Sequence, residues 1–130
     1  MSNTLFVNLP VKDLGRATKF FGELGFDFFG ATEDMASVVI SERTQVMLLA
    51  EPAFAHYARS QVADPSSSTQ VILVLGLDTP AEVDALVDKA LAAGASPVGE
   101  AVNEGGRYQR GFADLDGHQW AALALVPPAS

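Results

Sequence analysis

The same succession of patterns runs along the chain twice, and that duplication limits the fold more than any single motif does. The first run opens with LFVNLPV at residues 5–11, short and rich in β-forming residues, which predicts a strand. Asp13 then caps a helix reaching to about Leu24, with Leu14, Ala17, Phe20, Phe21 and Leu24 at helical spacing. Gly25 stands where a left-handed C-terminal cap belongs. FDFFGA, MASVVIS and TQVMLLA supply three more strands, the last two joined by a short turn at residues 41–43. Residues 51–68, EPAFAHYARSQVADPSSS, interrupt the pattern with a short helical piece and a Pro- and Ser-rich linker.

The order then restarts. QVILVLGL at 70–77 reads as a strand, and Thr79-Pro80-Ala81-Glu82 as a capping box with proline at the first helical position. Val83, Leu86, Val87, Ala90 and Leu91 form the buried stripe of the second helix, which Gly94 ends. SPVGEAVNE, RYQRGFAD and HQWAALALV give three further strands. Val11-Lys12-Asp13 corresponds to Leu77-Asp78-Thr79, and Val46 to Trp120. The expected fold is α+β: one domain over residues 1–130, made of two tandem βαβββ modules (about 4–50 and 69–127, with 51–68 as linker) that form a curled mixed sheet with a central cleft. Such a cleft is where a small ligand is expected.

Composition removes several classes of function. Eight Lys and Arg against sixteen Asp and Glu give a net charge of −8, the wrong sign for nucleic acid. The acidity is compatible with a cationic ligand, and equally with solubility alone. With no cysteine there is no disulfide, thiolate metal site or cysteine nucleophile. MSNTLFVNLPVKDL lacks the basic and apolar regions of a signal peptide, and VILVLGL is far shorter than the roughly 20 residues that span a bilayer. A cytoplasmic protein without a membrane partner is expected.

FVNLPVKDLGRATKFFGELGF resembles the opening module of the vicinal oxygen chelate superfamily, which holds glyoxalases, bleomycin-resistance proteins and extradiol dioxygenases. DLDGHQW resembles that superfamily's final hairpin, and the likeness runs in order along nearly the whole chain, closest to lactoylglutathione-lyase-like members. The resemblance implies a divalent metal held by His, Glu or Gln on the first and last strands of each module. Carried across, those positions are Phe6, five before Val11; its counterpart Ile72; Met47 or Leu48 at the end of the first module; and Ala121, four after Gly117. None is a suitable ligand, so no metal and no cofactor is expected, and the four positions become an apolar cleft floor.

Other residues remain. Asn8, Gln70 and Gln119 lie two residues from the floor positions and share their strand face, where they could orient a neutral polar ligand. Tyr108 and Arg110 alternate on one face with Phe112. If that face lines the cleft, Arg110 offers a donor fork for a carboxylate or phosphate-like group and Tyr108 a hydroxyl; otherwise Arg110 is exposed or salt-bridged. A bulge near the turn would change the facing. Trp120 points to the opposite face, under the second helix. His118 follows the DLDG turn and faces solvent, and His56 sits in the linker, as a surface residue or part of a lid. No Ser-His-Asp elbow or phosphate-cradling loop is present, EGGRYQR lacking the helix such a loop needs.

Two functions compete. One is a metal-free small-molecule-binding protein, as bleomycin-resistance proteins are. The other is a glyoxalase-like, metal-dependent lyase or isomerase of the lactoylglutathione-lyase type, whose general base would have to be a carboxylate such as Glu51 or Glu100. Catalytic residues are not assigned. A module acting only through its dimer surface is a third possibility, and a homodimer is expected.

Overall fold

A computed structural model describes residues 3–59 and 61–126, and its contacts divide the chain into two units, Met1–Ala63 and Asp64–Ser130. Each unit carries one βαβββ module with its own four-stranded mixed sheet.

In the first unit, β1 (Leu5–Val11) leads into α1 (Leu14–Glu23), followed by β2 (Asp27–Ala31), β3 (Met35–Ser41), β4 (Thr44–Ala50) and α2 (Glu51–Tyr57). The Asp13 side chain accepts from the Arg16 amide at 3.0 Å, and Gly25 takes φ +101°, so the helix starts and stops where its sequence signals stand. The strands lie in the order β1-β4-β3-β2, with β1 parallel to β4 and the other pairs antiparallel. Because side chains alternate, register decides which residues share a face. Val46 and Leu48 on β4 align with Val7 and Leu9 on β1 and with Val38 and Ala36 on β3. Apart from half-buried Val7, this set is buried, together with Ala17, Phe20 and Phe21 of α1 and its C-cap Leu24; the helix packs on β3 and β4. Phe20 and Phe21 meet edge to face at 5.0 Å.

The second unit repeats the plan with β5 (Ile72–Leu77), α3 (Pro80–Ala92), β6 (Ser96–Glu104), β7 (Arg107–Ala113) and β8 (Gln119–Leu125), in the order β5-β8-β7-β6. β5 is parallel to β8. Thr79 caps α3 by accepting from the Glu82 amide at 3.2 Å, and its hydroxyl donates to Glu82 Oε1 at 3.1 Å. Val83, Val87 and Ala90 of α3 are buried with Phe112, Trp120, Ala122 and Ala124 of the sheet, while Leu86 and Leu91 stay half-buried.

One detail departs from the sequence reading. β5 begins at Ile72, so Gln70 lies before the strand and is exposed. The Ser-rich segment is a built turn: Asp64 Oδ1 accepts from the Ser66 amide at 3.0 Å and the Ser66 hydroxyl at 2.7 Å, and its carbonyl accepts from the amides of Ser67 and Ser68.

Candidate functional site

Each sheet has one face under its helix and one face away from it, and the two faces differ in chemistry. In the first unit the face away from α1 carries Phe6 and Asn8 on β1, Gln45 and Met47 on β4, and Ser37 and Val39 on β3. Phe6 and Asn8 are exposed, Gln45 and Met47 half-buried, and Ser37 is 4% exposed. Leu48 is fully buried in the core on the other face. The Met47-or-Leu48 ambiguity is thereby settled by alternation, and Leu48 leaves the proposed floor.

The second unit presents Ile72 and Val74 on β5 and Gln119, Ala121 and Leu123 on β8, all away from the Trp120 face. Ile72 aligns with Gln119 and Val74 with Ala121, as Phe6 aligns with Gln45 and Asn8 with Met47. Strand by strand, Phe6 is therefore equivalent to Ile72, Gln45 to Gln119, Asn8 to Val74 and Met47 to Ala121. Gln119 donates from Nε2 to the Thr69 hydroxyl at 2.9 Å. Ile72 is 55% exposed, whereas Ala121 is almost fully covered at 3%. Gln70 stands outside this array because no strand carries it.

Tyr108 and Arg110 occupy the helix face. Their register partners Ala124 and Ala122 share that face with Trp120, and β7 runs unbroken along β8. The bulge lies on β6 instead, between Val98 and Val102. Tyr108 donates to Asp84 Oδ1 of α3 at 2.6 Å, and Arg110 Nη1 donates to Asp84 at 2.9 Å and to Asp88 at 3.1 Å. The Tyr108 hydroxyl and then Arg110 hold the Asp84 carboxyl below its ordinary value of 3.8, and the same bond pushes Tyr108 above 10.0. Their ligand role was conditional on this strand face lining the cleft, and the face lies under α3 instead. The alternative salt bridge is what forms.

The hairpin at 113–119 is built around Asp114. Its Oδ1 accepts from the amides of Asp116 and His118, both at 3.0 Å, and its Oδ2 accepts from Trp120 Nε1 at 3.0 Å. Burial pushes the Asp114 carboxyl up, against His118, Trp120 and the two amides, which pull it down. Trp120 stacks on Phe112 with ring centroids 6.4 Å apart. His118 is half-buried against Asp114 rather than solvent-facing. His56 lies exposed on α2 with its ring 5.3 Å from Tyr57, and Glu51 and Glu100 are also exposed.

Among the described residues no three His, Cys, Asp or Glu side chains come together as a metal could use them. Phe6, Ile72 and Ala121 have no donor atom and Met47 offers one soft thioether, so the residues at these positions do not fit a divalent cation. Gln45 is the residue that sequence reading missed. The duplication could have found it, because Gln119 was visible and Gln45 is its equivalent.

Comparison with known proteins agrees with this layout. The Glyoxalase/Bleomycin resistance protein/Dioxygenase superfamily matches residues 4–122. The chain belongs to this superfamily. A hypothetical protein from S. aureus is 31% identical, with 95% of this chain and 94% of that one covered and a TM-score of 0.81. The bleomycin resistance determinant encoded on transposon Tn5 is 17% identical over 95% of this chain and 98% of its own, with a TM-score of 0.67. The fosfomycin resistance protein FosX from Listeria monocytogenes, solved with Mn(II) and sulfate, is 16% identical over 97% and 92%, with a TM-score of 0.72. No curated protein matches the chain. Among the described residues no helix is long and apolar enough to cross a membrane.

Proposed function

We propose that this protein is a small-molecule-binding member of its superfamily that works without a metal, with ligand held on a sheet face away from the helix. The observation that supports this most is the content of the four equivalent strand positions. Phe6, Met47, Ile72 and Ala121 are apolar where a metal-dependent relative needs imidazole or carboxylate, and amides, not acids, flank them. On the first unit Asn8 and Gln45 offer hydrogen bonds for a neutral polar ligand beside the apolar surface of Phe6, and on the second Gln119 does so beside Ile72. The exposed carboxylates Glu51 and Glu100 lie on α2 and β6, not on the strands that bear these positions, so the lyase reading has no base beside the amides.

The test is elemental analysis of untagged protein after incubation with Zn²⁺, Ni²⁺ and Mn²⁺ and exhaustive dialysis. No retained metal is the expected result. About one tightly held ion per chain would overturn the metal-free reading and restore the glyoxalase-type enzyme. We also propose a homodimer, because Leu5, Phe6, Val71, Ile72, Val74 and Leu125 are each at least half exposed in the single chain. Sedimentation velocity at micromolar concentration checks it, with a single monomeric species counting against it.

A further inference from the structure

The two sheets have four edges between them, and three are guarded. β1 carries Pro10, which has no N–H to offer a neighbour. β2 begins with Asp27 and shifts register between Phe28 and Gly30. β6 holds Pro97, Glu100 and Glu104, and shifts register between Val98 and Val102 with Gly99 at φ +67°. Charge, proline and bulges are what keep an edge strand from pairing with another chain. β5 has none of them. Ile72–Leu77 runs in unbroken register along β8 on one side, and among the described residues no strand lies on the other. Val71, Ile72 and Val74 are each at least half exposed there. In a chain of net charge −8, residues 70–77 carry no charge at all.

We infer that β5 pairs antiparallel with β5 of a second copy, about a two-fold axis through Val74. The inference rests on the homodimer proposed above and adds the contact that makes it. Residues 71–77 centre on Val74, so this register uses the whole strand. Val74 meets its own copy, Leu73 meets Leu75 of the partner subunit, and Ile72 meets Gly76 of the partner subunit. A Cβ at Gly76 would touch nothing within 4 Å, so Ile72 has room to lie across it. Past the strand, Asp78 faces the amide of Gln70 of the partner subunit, not a second carboxylate, and two acidic chains approach without like charges opposed. An uncharged edge gives a charged partner nothing to pair with, whereas it suits another copy of itself. The two-fold also keeps the open faces on one side. Ile72 and Val74 of both copies then form a single apolar strip, bordered by Gln119 and Ala121 on β8. The second copy thereby extends the face proposed to hold ligand on this unit.

The test compares charge placed on two exposed apolar positions, with sedimentation velocity of the full chain as the readout. Val74→Lys sets two ammonium groups opposite each other on the axis and should raise the dimer dissociation constant by about a hundredfold. Phe6→Lys, on the edge strand of the other sheet, should leave it unchanged; thermal unfolding checks that both variants fold. Cysteine cross-linking gives a second reading that does not depend on Val74→Lys folding, since the native chain has no cysteine. Directly opposed side chains have Cβ atoms about 5 Å apart, within slight adjustment of a disulfide. Val74→Cys should therefore oxidise to a covalent dimer far faster than Phe29→Cys, which is 77% exposed on a guarded edge and reports random collision. A dimer that survives Val74→Lys would overturn the inference and leave the homodimer standing, as would equal oxidation rates at the two positions. A dimer lost in both lysine variants would also overturn it, pointing to β1 of one copy against β5 of the other. A monomeric wild type would strike the homodimer itself.

Discussion

Asp114 is an acid that the fold uses as an acceptor. Three N–H groups converge on its two oxygens, so the side chain holds the last hairpin in place of water. Trp120→Phe keeps most of the ring volume but removes one donor from a buried carboxylate. It should cost about 1–3 kcal/mol in urea unfolding. Asp84 acts in the other sense, at the surface. Its carboxyl is held below 3.8 in the folded chain, so its stabilising effect is complete above that value and fades as the pH falls through the lower folded value. Asp84→Asn should therefore flatten the acid limb of the stability curve below about pH 4 while changing its shape little at neutrality. Neither role was legible in the sequence. Tyr108 and Arg110 stood out there for their chemistry, but which side of β7 they occupy depends on pairing with β8, and their partners Asp84 and Asp88 are on a distant helix.

At the scale of elements the local signals were sufficient. Both helix caps, the strand types and the duplicated order follow from residues close in sequence, where propensity and alternation act directly. Thr79→Ala removes an acceptor from the first turn of α3 and should cost about 1 kcal/mol. Phe21→Ala empties a position that is 1% exposed under α1 and should cost about 3–5 kcal/mol, again read by urea unfolding. The linker was the exception. Its Pro and Ser content marked a linker without giving its form, and Asp64 ties Ser66, Ser67 and Ser68 into a turn that the final hairpin touches. Gly117 shows the contact: its φ is +98°, and a Cβ there would lie 2.8 Å from Ser66 Cα. Gly117→Ala meets both the unfavourable dihedral and backbone that cannot step aside, and should cost about 1–3 kcal/mol. Nothing local in SSS announces a partner some fifty residues away.

Across the whole molecule, the duplication made the architecture readable and left the site half-read. Equivalence between the two runs pointed to Phe6 and Ile72, and its match of Val46 to Trp120 already made Gln45 the counterpart of Gln119; what needed the β1–β4 and β5–β8 registers is that Gln45 stands beside Phe6 and Gln119 beside Ile72. The same topology has a consequence for how the protein is made. In each unit the last strand joins the first strand to the hairpin: β4 between β1 and β3, β8 between β5 and β7. On the ribosome, β4 is available once residue 50 has emerged, and the first sheet can close while the second half is still being translated. The second sheet must wait for β8, which ends at Leu125, about seventy-five residues later. Until then β5 has no strand neighbour, and Ile72 and Val74 lie on an unpaired apolar strand. A truncation that removes β8 would leave that strand permanently unpaired, so such truncations should aggregate where substitutions within β8 merely destabilise.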